Sequence, residues 1–180
     1  MADKDWIQTY TGKKFCFENP TLQDISIVDI AHSLSNICRF NGHCKQFYSV
    51  AEHSVYLSRQ FEDPQLVMEA LLDDAAEAYI GDMSRPLKNI NEMSAYREIE
   101  KGIDYKIRVK FNLARERNQQ IIDVDTRLLI MERNQIMSRP PDDWGIKVEP
   151  LKIKIQCLNP SEAKEFFEQR YFQCIRMING

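Results

Sequence analysis

Apolar residues recur at helical spacing along most of this chain. Ile27, Ile30, Ala31, Leu34 and Cys38 trace one stripe, with Ser26 and Asp29 ahead of it in capping-box spacing. Residues 39–47 contain Asn41-Gly42 and read as a loop. Ser49 with Glu52 forms a second capping box and opens a helix to about Arg59. Asp63-Pro64 starts a third, with Asp at the N-cap, Pro in the first turn and a buried stripe of Leu66, Val67, Ala70 and Leu71. This helix is expected to run to about Ile80, where Gly81 supplies the cap. Arg85-Pro86 makes residues 82–88 an irregular turn. Tyr96, Ile99, Ile103 and Ile107 mark a fourth helix. Ile121, Ile122, Asp125, Leu128, Leu129 and Ile136 mark a fifth, stopped by Pro140-Pro141. Leu151, Ile153, Ile155 and Cys157 alternate with Lys152, Lys154 and Gln156, which is strand periodicity in need of a partner. Asn159-Pro160 opens the last helix, carrying Phe166, Phe167, Arg170, Tyr171 and Cys174.

The pattern predicts an all-α bundle, a single domain over residues 1–180, with an extended C-terminal segment and a final helix. The residues beyond Pro140-Pro141 are too few for a core of their own and are expected to pack back on the bundle. Composition narrows the function. With 24 Lys+Arg against 27 Asp+Glu the net charge is −3, so no basic field marks a nucleic-acid binder and no stable nucleic-acid partner is expected. No apolar run is long enough to span a bilayer, and residues 1–14 lack the apolar core of a secretory leader. Five cysteines, an odd number without a C-x-x-C, point to reduced thiols and a cytoplasmic setting.

Acidity on apolar helices is the unusual feature. Asp74 follows Val67, Ala70 and Leu71 on an inward stripe, where an unpartnered carboxylate costs several kcal/mol or shifts its pKa. Glu77 lies four residues from Asp73 and three from Asp74, so the three carboxylates crowd one another. Asp125 repeats the anomaly between Ile121 and Leu128-Leu129, whereas Asp123 faces water. His53 lies near Val50 and Leu57, and Arg39, Lys45, Arg85 and Lys88 flank the acids on two loops. Read singly, these are a solvated acidic face, a buried Asp paired with Arg, a core His and solvated loops. Read together, an imidazole and acids from separate helices form a metal cage at a bundle core, with basic loops suited to phosphate.

The run Tyr48-Ser-Val-Ala-Glu-His53-Ser, followed by Ala70-Leu-Leu-Asp-Asp-Ala-Ala-Glu-Ala-Tyr-Ile-Gly-Asp82-Met-Ser-Arg-Pro-Leu-Lys88, resembles the HD-domain phosphohydrolases. The likeness is nearest to the branch of bacterial 5′-deoxynucleotidases and phage deoxynucleotide phosphohydrolases, dATP triphosphohydrolases included. It extends from about Asp24 through Arg39-Phe-Asn-Gly-His43 to Asp125 and Glu132, and more weakly to the final helix. The resemblance implies an HD-type bundle and a metal-dependent hydrolase of 2′-deoxynucleotide mono- or triphosphates, serving nucleotide metabolism in a phage or bacterium as a homo-oligomer. By position, His53, Asp73, Asp74 and Asp125 fall on its metal ligands. Glu77 falls on the acid that handles a proton, with Asp82 beside it. Arg39, Phe40, His43, Arg85 and Lys88 fall where that branch holds its nucleotide.

One departure stands out: the family has His where this chain has Asp73. A set of one imidazole and three carboxylates is harder and more negative, which favours Mn²⁺ or Mg²⁺ over Zn²⁺ or Co²⁺. The alternative reading is a nucleotide-binding HD protein whose catalysis is impaired or lost at this position.

Overall fold

A computed structural model describes residues 5–180. Its frame is helical: α1 (Ile27–Asn36), α2 (Val50–Ser58), α3 (Pro64–Leu71), α4 (Glu77–Ile80), α5 (Arg85–Lys88), α6 (Ser94–Lys110), α7 (Gln119–Ile136) and α8 (Pro160–Asn179). Every residue of α2 is buried, because it packs against α1, α3, α7 and α8 at once. Leu57 and Val55 are fully enclosed there, and truncating such a leucine to alanine costs about 2–5 kcal/mol. Among the described residues, no helix is long and apolar enough to cross a membrane.

Besides the short helix α5, which Pro86 opens within the stretch that the pattern gives as an irregular turn, the structure departs from the sequence pattern in four places. First, a hairpin that the pattern did not reveal precedes α1. Strands β1 (Trp6–Gln8) and β2 (Lys14–Cys16) pair antiparallel, Ile7 opposite Phe15. Three-residue strands are too short to show a period, yet Phe15 is fully buried and stacks on Tyr79 at 3.9 Å. Second, Ser26 caps α1 by position but makes no side-chain cap bond. Asp29 turns away instead and accepts Thr11 N at 2.7 Å and Thr11 Oγ1 at 2.8 Å, tying the hairpin to the helix. The Ser49 box is likewise half made: Ser49 accepts Glu52 N, while the Glu52 carboxylate bonds elsewhere.

Third, the expected helix to Ile80 breaks after Leu71. Residues 72–79 close with three-residue bonds, Ala75 N to Leu72 O, Glu77 N to Asp74 O and Tyr79 N to Ala76 O. That tightening to about three residues per turn eclipses side chains at i and i+3 and changes which acids stand together. Gly81 ends α4 at φ +82°, ψ 160°, a region open to glycine almost alone.

Fourth, no strand forms over residues 151–157. Leu151 and Ile155 are buried and Lys152, Lys154 and Gln156 exposed, as the alternation predicts. Side chains, not a neighbouring strand, satisfy the backbone. Glu52 accepts the N–H groups of Gln156, Cys157 and Leu158 at 2.9–3.1 Å, and Gln135 Oε1 accepts Ile155 N. The segment then enters α8 through a complete capping box between Asn159 and Glu162.

Candidate functional site

His53 is the centre from which the site is built. It lies on α2, 1% exposed, and its Nδ1 is 2.6 Å from Glu132 Oε1 of α7. Glu132 is fully buried and also accepts the Tyr48 hydroxyl at 2.7 Å and Arg39 Nη2 at 3.2 Å. That bond at Nδ1 sets the ring orientation and turns Nε2 outward, where Asp74 Oδ2 and Asp125 Oδ1 each lie 3.4 Å away. Arg39 spans the group, with Nη1 3.4 Å from Asp74. Arg117, from the loop before α7, donates to Asp73 Oδ2 and lies 3.4 Å from Asp125 Oδ2.

The turn after α3 explains how two adjacent aspartates serve different partners. Eclipsing at i and i+3 sets Asp74 in line with Glu77, while Asp73 leaves that line and meets Arg117. The position of Arg117 follows from its neighbour. Asn118 caps α7 through its side chain, and its own N–H donates to Glu69, a buried carboxylate that also holds Arg108. The loop is thereby fixed one residue from the guanidinium that closes on Asp73.

Three polar atoms in this region are buried without a hydrogen-bond partner: Asp73 Oδ1, Glu77 Oε2 and Arg39 Nε. Burial, together with the charges of Asp74 and Asp82, lifts the Glu77 carboxyl well above its usual range. Burial and Asp74 push Asp73 up to about 7 against the pull of Arg117. Burial and Arg39 oppose a charge on His53, but Glu132 and Asp125 outweigh them and lift its pKa to about 10. Burial also opposes ionisation of Asp125, yet His53, Arg39 and Arg117 hold it well below the carboxylate range. Asp82 is raised, chiefly by burial.

Of the residues singled out from sequence, His53, Asp74, Asp125 and Arg39 meet directly, and Asp73 joins them through Arg117. Arg85 stands on the rim, 65% exposed and 3.9 Å from Asp125. Phe40 lies beneath Arg39, its ring 5.4 Å from the guanidinium, at φ +56°. Two of the residues expected to hold a nucleotide stand apart from the group. Lys88 is taken by Glu100 at 2.6 Å, and His43 is exposed on its short 3-10 turn with no bond to the group. Nor do the four expected ligands form a closed cage: among the described residues, no three His, Cys, Asp or Glu side chains are grouped to hold a metal ion. Two guanidiniums, those of Arg39 and Arg117, interleave with the carboxylates.

No family model matches the chain. It is 41% identical to YfdR, an uncharacterized protein of Escherichia coli strain K12, over 170 residues that cover 92% of this chain and 93% of that one. The chain belongs to the YfdR family. An uncharacterized protein of Rhodobacter capsulatus is 28% identical over 193 aligned positions, 97% of this chain and 98% of its own length. Both likenesses run nearly end to end, so this YfdR-family chain aligns with its relatives across the whole set of elements that carry His53, Asp74, Asp125 and Glu132.

Proposed function

We propose that this chain is an HD-type phosphohydrolase that uses a divalent cation to hydrolyse 2′-deoxynucleotide phosphates. The observation that carries the reading is the aim of His53: Glu132 fixes Nδ1 at 2.6 Å and Nε2 faces Asp74 and Asp125, each at 3.4 Å. A histidine held at one nitrogen by a carboxylate, with acids facing the other, is the usual outer-shell arrangement of a metal ligand. In kind, though not in their grouping, the donors suit a hard divalent ion: one imidazole and three carboxylates, with Asp73 Oδ1 buried and without a protein partner. His53, Asp74, Asp125 and Asp73 would hold the ion. Bound there, it supplies a Lewis acid for a phosphoryl oxygen and acidifies a water.

The remaining work falls to the chain's own side chains. Arg39, whose Nε is unbonded, and Arg85, exposed on the rim, carry guanidiniums suited to phosphate oxygens. Glu77 is buried beside Asp74 and Asp82 with no cation bonded to it, so it keeps its proton and can give it to a leaving oxygen. Phe40, packed under Arg39 and 6.5 Å from Trp144, offers an aromatic face to a base.

A second reading has an observation of its own. Arg117 donates to Asp73 Oδ2 in a bond that a metal ligand at that oxygen would have to give up. On this reading the pocket keeps a nucleotide and has lost turnover. Calorimetric titration with Mn²⁺, Co²⁺, Mg²⁺ and Zn²⁺, then with each deoxynucleotide mono- and triphosphate, tests both. Metal binding lost in Asp74→Asn and Asp125→Asn supports the hydrolase. Nucleotide binding without metal supports the second reading. Neither response refutes both.

A further inference from the structure

On the far end of α2, a groove of about 530 Å³ opens between the helix terminus and the C-terminal half of α8. Three arginines line it, Arg59, Arg170 and Arg176, with Phe166 and Phe172, and no acidic side chain. The contrast with the arginines around the His53 group and on α6 is sharp. Arg39, Arg108 and Arg117 each lie against two carboxylates. Arg170 lies against none, although it is only 9% exposed.

Neutral acceptors hold Arg170 in place. Its Nε donates to Ser58 Oγ at 3.0 Å, Nη2 to Ser58 O at 2.7 Å and Nη1 to Gln173 Oε1 at 2.8 Å. These bonds fix the guanidinium rigidly while leaving its charge uncancelled and some of its N–H donors unused. Burial lowers its pKa; Cys174 opposes that shift and the like charge of Arg59 adds to it. Arg59 lies 4.3 Å over the ring of Phe166 and has no carboxylate partner among the described residues. Phe172 is 56% exposed. A chain of net charge −3 thus gathers three uncompensated cations at one concavity. For the buried Arg170 an uncancelled charge is costly unless an anion completes it, and a volume in this range suits a small ligand.

We propose that this groove binds a phosphorylated small molecule, its phosphate held by Arg59, Arg170 and Arg176 and an apolar or aromatic body resting on Phe166 and Phe172. None of the lining residues bonds to the His53 group, so the inference stands apart from the hydrolase reading. Phosphate also heads anionic lipids, and the exposed Phe172 would suit a bilayer; the test separates the two sources.

The probe is pyrophosphate, titrated calorimetrically in EDTA so that metal-dependent binding at the His53 group is silent. Three proteins are compared: the parent, a variant carrying Arg59→Gln and Arg176→Gln, and Arg39→Ala. Both arginines in the double variant are exposed, and an unchanged melting temperature certifies its fold. The expected result is binding to the parent and to Arg39→Ala, weakened at least tenfold in the double variant. Absence of binding to the parent overturns the proposal. So does binding that only Arg39→Ala abolishes, which would move the anion to the His53 group and leave the hydrolase reading untouched. Sedimentation with phosphatidylglycerol vesicles forms the second arm, and vesicle binding without pyrophosphate binding also overturns it.

Discussion

Arg117 donates to Asp73 across the gap between the loop before α7 and the turn after α3. The same guanidinium lies 3.4 Å from Asp125, so one cation serves two of the acids on which a metal would depend. An internal positive charge in that position competes with a divalent ion for the same oxygens. Replacing Arg117 by Gln removes the competitor while leaving a hydrogen-bonding amide. Mn²⁺ affinity should rise about tenfold, the equivalent of about 1.4 kcal/mol. Arg117→Lys should restore the parental value. Calorimetry in the three proteins checks this, and a Gln variant that binds Mn²⁺ more weakly than the parent would show that Arg117 supports the site.

Asp73 itself offers the complementary change. An imidazole at this position is neutral as a ligand, relieves repulsion with Asp74 and releases Arg117. Asp73→His should strengthen Co²⁺ and Zn²⁺ binding and raise phosphate release. The contrary case is an Asp73 tuned to Mn²⁺, in which the histidine lowers Mn²⁺-supported turnover. Turnover of both proteins across four metals distinguishes them.

Much of the frame was legible because helical periodicity extends over many residues in α1, α2, α6, α7 and α8, and because Asn159-Pro160 carries a full capping signal. The hairpin and the turn after α3 were not, since three-residue strands show no period and the three-residue bonds over 72–79 interrupt a run that reads as continuous helix. Within the site, His53, Asp74 and Asp125 stood out as polar residues on apolar faces. Glu132 entered only as part of the stretch carrying the resemblance and received no role, although it lies seven residues after Asp125, on the same face two turns along. Arg117 sits in the polar run Arg115-Glu116-Arg117-Asn118, where no pattern separates a loop charge from a site charge. Glu52 was read as half of a capping box, and only the fold reveals that it serves the backbone of residues 156–158.

That role gives a stability prediction. Glu52→Ala removes the carboxylate that accepts the Cys157 and Leu158 N–H groups and leaves the Gln156 N–H with the Tyr56 hydroxyl as its remaining acceptor, in a partly buried environment. The cost should be about 2–5 kcal/mol in urea unfolding, well above the usual effect of removing one hydrogen bond. A loss below 1 kcal/mol, or about the value of a single net hydrogen bond, would mean that water replaces the carboxylate there.

The proton on His53 should be visible in the pH dependence of the metal-free protein. Its folded pKa of about 10 lies above the ordinary 6.5, so its contribution to stability is complete below about 6.5 and is lost as pH rises through about 10. Urea unfolding in EDTA, with His53→Asn as the reference, isolates this term. The difference between the two proteins should shrink from pH 6.5 to 10; a difference that grows would reverse the assigned sign.

The central claim is that the acids gathered at His53 serve metal-dependent hydrolysis of deoxynucleotide phosphates, and phosphate or pyrophosphate release tests it most directly. Each deoxynucleotide mono- and triphosphate is incubated with parent protein and Asp125→Asn in the presence of Mn²⁺, Co²⁺, Mg²⁺ or Zn²⁺. The account predicts release by the parent with at least one metal, abolished by EDTA and lowered by a factor of about 10² or more in the variant. No release from any substrate with any metal, or equal release by Asp125→Asn, would contradict it.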